Sequence, residues 1–182
     1  MTHSACVLAP HGRGSDGGNT MATRGGSGEV KLLLDAIDEA FDRHSWHGTN
    51  LRGSLRGLSE HELSWRPGEP RHNTWEIAVH AAYWKYAAWR LLTGAKRGSF
   101  ALAGSNWFER PDVRSSRTWR DDLALLVSTH AQLRAAVAAL DPRRLDEPVK
   151  GHLTVAALVR GVAAHDLYHA GQIQLLKRLM RA

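Results

Sequence analysis

The sequence predicts an all-α protein folded as a four-helix bundle. Three observations carry that expectation. Apolar residues recur at helical spacing in four segments of about twenty residues each. Cap-type residues stand at the starts of these segments, with glycine or proline beyond several of their ends. No segment shows the apolar–polar alternation of a half-buried strand, and no internal repeat is visible.

Residues 1–28, MTHSACVLAPHGRGSDGGNTMATRGGSG, are rich in Gly, Ser, Thr and Pro and carry no apolar period. They read as a disordered tail that cannot bury a core, leaving 29–182 as the folded domain. The first helix starts near Glu29 and places Leu33, Ile37, Phe41, Leu51 and Leu55 on one face. Gly48 and Gly53 weaken its second half. LSEHELSWRPGEPRHN then reads as a loop holding a short helical turn. Asn73 and Glu76, three apart, make a capping-box pattern that starts the second helix at Thr74, and Gly94 ends it. Residues 95–117 show no period, and a connection of that length is functional or crosses over between distant helices. Thr118 with Asp121 resembles the start of the third helix, which stops before Pro142. After a short polar linker, Thr154 caps the fourth helix, Val155 to Met180.

A hydrophobic fraction of 43% over 182 residues suits one domain with a real core. No run of about 18 apolar residues predicts a membrane span. No signal-peptide pattern opens the chain, so cytoplasm is the default location. The net charge is +6. The arginines, Arg52, Arg90, Arg134 and Arg178 among them, are scattered between acids, and no basic block or nucleic-acid-binding motif stands out. A small molecule, not nucleic acid, is the expected partner. The single cysteine, Cys6, lies in the tail, so the folded body has neither a disulfide nor a thiol nucleophile of its own.

The chemistry concentrates in HDLYHAGQI. At about 100° per residue, His169 lies about 40° from His165 and Gln172 about 20° to its other side. Leu158 and Leu176 share that stripe, so the imidazoles face the interior, while Asp166 and Tyr168 project from other faces. Such an i, i+4 pair can bind one metal ion from one helix face. The glutamate of the zinc-protease motif is missing, which disfavours a metalloprotease. The alternative is a pair of hydrogen-bonded core histidines, at a cost of about 1–3 kcal/mol for each buried group left unsatisfied. A third imidazole tips the balance. His80, in EIAVHAAYW, shares an inward stripe with Ile77, Trp84 and Ala87. Three protein nitrogens with an open position make the pattern of a catalytic zinc site, and nickel or another first-row divalent metal also accepts imidazole. Gln172 is the candidate for contacting a ligand or orienting an imidazole. His47, beside Gly48, is the candidate proton shuttle or substrate contact, although a surface histidine fits there too. His44, His61, His72, His130 and His152 lack the inward pairing. The tryptophans read as core and loop anchors, with Trp84 and Trp107 placed to wall a pocket.

At these residues the chain resembles the DinB/YfiT-like family of metal-dependent four-helix proteins. The resemblance spans about residues 30–181 and lies in SWHG, in HNTWEIAVHAAYW and, most specifically, in HDLYHAGQI. It implies an up-down-down-up bundle with residues 95–117 as the crossover. It implies a divalent metal on one histidine early in the second helix and a His-x3-His in the fourth, here His80, His165 and His169. It also implies a low-molecular-weight thiol cosubstrate, such as bacillithiol or mycothiol, and homodimers paired through helices. The expected activity is metal-activated transfer of the thiol to an electrophile. Metal-assisted hydrolysis is the second expectation, and a non-catalytic, metal-stabilised binding or stress-response module the third.

Overall fold

The computed structural model describes residues 22–110 and 116–182. Its elements, in chain order, are α1 (Ala22–Phe41), α2 (Leu51–Ser54), α3 (Glu60–Ser64), α4 (Thr74–Thr93), α5 (Ser116–Ala138), a 3-10 turn (Pro142–Arg144), β1 (Pro148–Lys150), β2 (Leu153–Thr154) and α6 (Val155–Met180). Most of the described chain is helical. No helix among the described residues is long and apolar enough to cross a membrane. Of the tail expected over 1–28, residues 1–21 lie outside the described residues, and Ala22 to Gly28 are already helical.

The expected first helix is two helices. It ends at Phe41, an irregular loop follows, and the chain becomes helical again at Leu51. Gly48 has φ +102°, a conformation that glycine holds at little cost and other residues do not. Asn50 then caps α2, its side-chain oxygen accepting from the Gly53 N–H at 2.8 Å. SWHG therefore sits in the loop, not in a helix. The apolar residues still meet: Phe41, Leu51 and Leu55 are all buried in one cluster.

The second expected helix forms as read. The Asn73 side chain accepts from the Glu76 N–H at 2.8 Å, and Glu76 accepts from the Asn73 N–H at 3.3 Å. Gly94 closes α4 in the left-handed conformation. α5 begins at Ser116, so Thr118 lies inside the helix and does not cap it. The polar linker contains a two-strand hairpin turned at Gly151, φ +57°. Strands of three and two residues are too short to show a period in sequence.

Among the long helices, α4 packs against both α5 and α6, and α1 against both α5 and α6. One apolar cluster joins Val30, Leu33 and Ile37 of α1 to Ala88 and Leu92 of α4, Leu133 of α5 and Val155, Val159, Val162 and Ala163 of α6. A second gathers Phe41, Leu51, Ile77, Ala81, Leu126 and Ile173. On α4 and α6 the residues between the two clusters include Lys85, His165, Asp166 and His169. The core is thus interrupted by a polar layer, and the candidate site lies in it.

Candidate metal centre

Three imidazoles from two helices converge in this layer. α4 supplies His80, and α6 supplies His165 and His169. The His165 Nε2 lies 3.1 Å from the His80 Nε2 and 3.0 Å from the His169 Nε2. His80 and His169 are buried, at 5% and 2% exposure, and His165 is half-buried.

The protons on two of the rings are placed by their outer partners. The His80 Nδ1 stands 2.8 Å from the Asn106 carbonyl oxygen, which only accepts, so Nδ1 carries the proton. The His169 Nδ1 stands 2.7 Å from the Gln172 Oε1, with the same consequence. The Gln172 amide is oriented in turn by donating its Nε2–H to the Tyr168 hydroxyl at 3.0 Å. Both Nε2 atoms therefore present lone pairs towards His165. A neutral His165 can carry at most one Nε2–H, which satisfies one neighbour and not the other. A cation takes a lone pair from each ring at once. With bonds of about 2.0–2.1 Å, tetrahedral ligand nitrogens stand about 3.3–3.4 Å apart, close to the spacing here. The three residues could hold a metal ion, with their candidate ligand atoms all within 4.8 Å of one another.

The electrostatics agree. Burial lowers the His165 pKa to about 3, helped by the neighbouring His169 and His80. Burial likewise lowers His169 to about 4, against the opposing pull of the Gln172 hydrogen bond. Burial lowers His80 as well, partly offset by the Asn106 carbonyl. All three rings are neutral at pH 7, the form in which imidazole ligates a metal.

The long connection between α4 and α5 shapes the surroundings. Asn106 adopts φ +66°, a region that asparagine tolerates better than most residues. In that pose its carbonyl meets His80, and its side-chain oxygen accepts the Trp84 indole N–H at 3.0 Å. Trp107 stacks on His80 with ring centres 3.8 Å apart, and on its other face lies His72, 3.6 Å away. A cleft of about 680 Å³ opens beside this stack, lined by His72 and Trp107 and by His169, Gln172, Leu175, Leu176 and Leu179 of α6. Arg71 and Tyr168 also line it.

The structure brings together His80, His165, His169 and Gln172. It leaves His47 apart: that side chain is exposed on the loop after α1, and none of the hydrogen bonds or ring contacts of the three imidazoles involves it. Sequence reasoning missed Asn106, whose contribution is a backbone carbonyl, and His72, whose partner Trp107 comes from a loop without periodicity. Asp166 was expected on another face than the imidazoles, and that face is buried as well. Asp166 is fully buried and ion-paired with the equally buried Lys85. Desolvation raises the Asp166 carboxyl pKa, and Lys85 opposes that rise. A lone lysine inside the apolar run YWKYAAW was the available signal, since lysine is almost never fully buried without a partner.

A model of the DinB superfamily matches residues 43–173, well over half of the chain and all three imidazoles. No curated protein and no solved structure matches the chain. The family match, the helical fold and the convergent histidines agree, and the chain belongs to the DinB superfamily.

Proposed function

We propose that this protein is a metal-dependent transferase that joins a low-molecular-weight thiol to an electrophile. The observation that carries the reading is the convergence of three Nε2 atoms, two of them freed as lone-pair donors by Asn106 and Gln172. A divalent cation held there, zinc first and nickel or another first-row metal as substitutes, would lower the pKa of a coordinated thiol or water and so provide a nucleophile at neutral pH. The thiol is a cosubstrate because the chain's single cysteine, Cys6, lies far in sequence from the imidazoles. Asn106 and Gln172 hold the rings in their ligating tautomer. Trp107 covers one face of His80, and the cleft of about 680 Å³ has the size of a small-molecule site. We read the four long helices as the up-down-down-up bundle of the family, with residues 95–117 as the crossover that reaches His80.

Elemental analysis of untagged protein tests the site. We expect about one divalent ion per chain, as three-ligand sites hold, and loss of that ion in His165→Ala and His169→Ala. Retention of metal by both variants would refute the assignment. Turnover of a generic electrophile only when a thiol is supplied supports transfer. Ester hydrolysis without thiol moves the protein to the hydrolase reading, and metal binding without either reaction makes it a binding module.

A further inference from the structure

The imidazole centre is flanked by two cavities. His169 lines the polar-edged cleft already described, whereas His165 lines a separate groove of about 330 Å³ between α4 and α6. We infer that this second groove binds an apolar carboxylate of medium chain length, with its carboxylate at Lys150 and its far end at His165.

The lining is apolar: Trp84 and Leu91 of α4, Leu158 and Val162 of α6, and Leu153 of the hairpin. Trp84 and Leu153 are 42% and 37% exposed, large apolar surfaces left at the rim. Gly161 lies on the same lining, and a Cβ built there meets nothing within 4 Å. A glycine inside a helix weakens it relative to alanine, so the open space is kept at a cost to α6. Lys150 is the one charged side chain among the described lining residues. It pairs with Leu153 in the hairpin, which leads directly into α6 and so stands at the end of the groove away from His165. Along α6, Ala157 and His165 are eight residues apart, about 12 Å at helical rise. An extended eight-carbon chain has about that length. The volume agrees: a cavity of about 150 Å³ holds benzene, so 330 Å³ accommodates roughly twice as many heavy atoms. The charge selects an anion, since Lys150 is the one charged side chain among the described lining residues and stands at the end where the carboxylate is placed.

The inference stands apart from the proposed function, because it concerns binding in the groove and no reaction at the imidazoles. Binding itself is tested separately. The full chain, loaded with zinc and then stripped with a chelator, is titrated with octanoate and with octylammonium by calorimetry. We expect octanoate to bind and octylammonium to bind at least about tenfold more weakly. Gly161→Leu fills open space on a helix, so it keeps its melting temperature and metal content while octanoate affinity falls at least about tenfold. Lys150→Gln weakens octanoate about threefold to fivefold, the scale of an exposed ion pair. Octanoate binding that ignores Gly161→Leu, equal binding of the cation, or no binding to the unmodified chain overturns the inference. If metal is held but octanoate ignores Gly161→Leu, the groove assignment alone fails. If no metal is held but octanoate binding is lost in Gly161→Leu, the metal reading fails and the groove stands.

Discussion

His165 stands between two rings whose protons are already committed outward, and this arrangement makes single-atom predictions. Gln172→Leu removes the acceptor at the His169 Nδ1 and frees that ring to change tautomer. We expect metal affinity to fall about 10–100-fold, the usual effect of losing an outer partner of a metal-ligating histidine. Gln172→Glu, which still accepts from Nδ1–H, retains affinity. Competition with a chromogenic chelator measures both. Equal affinity in the leucine variant would mean that Gln172 does not orient the ring. Gln172 was legible in sequence because it shares the helical stripe of the two histidines. Asn106 was not, because every residue has a carbonyl, and only the backbone conformation at Asn106 aims this one at His80.

At the scale of elements, the ion pair between Lys85 and Asp166 ties together the two helices that carry the imidazoles. One carboxylate oxygen of Asp166 is buried without a hydrogen-bond partner, and the Lys85 ammonium also lies over the Phe41 ring at 4.8 Å. Removing one partner strands a charge in the core. Lys85→Met is expected to destabilise the fold by about 3–5 kcal/mol, and adding Asp166→Leu to recover most of that loss. Urea unfolding of the single and double variants checks it. A mild single variant would show that the pair is not isolated from water. Asp166 escaped a one-stripe reading of α6 because this helix packs against α1, α2 and α4 together. A helix contacted on several sides buries a wider arc than a single stripe describes. The break after Phe41 escaped for a related reason: buried residues on both sides of it kept helical spacing by chance, while Gly48 and the Asn50 cap decided the backbone.

At the scale of the whole molecule, stability should depend on pH through buried neutral imidazoles. His130 stacks on Phe41 with ring centres 3.8 Å apart, and its Nδ1 is buried without a partner. Burial, together with the positive charges of Lys85, Arg134 and Arg52, lowers its pKa from 6.5 to about 3. The unfolded chain accepts a proton near pH 6.5 that the folded chain refuses. The stability is therefore fully present above about pH 6.5 and falls as the pH drops towards about 3, by up to about 1.4 kcal/mol per pH unit for one such group. We expect the urea midpoint of the metal-free protein to fall between pH 7 and pH 4, and His130→Phe to flatten that fall. A slope unchanged in the variant would assign the effect to other groups.

By itself the sequence determined what is local and repetitive. Helical spacing marked the long helices, Asn73 with Glu76 marked the start of α4, and the four-residue interval between His165 and His169 placed two nitrogens on one face. These features depend on backbone geometry that neighbouring residues share. Tertiary structure decided what depends on distance between elements. It brought His80 within 3.1 Å of His165, aimed the Asn106 carbonyl, slid Trp107 between His80 and His72, and left a cleft on one side of the imidazoles and a groove on the other. Periodicity reports which way a side chain points from its own helix. Which partner it meets is set by packing and by an aperiodic loop, and neither leaves a period to read.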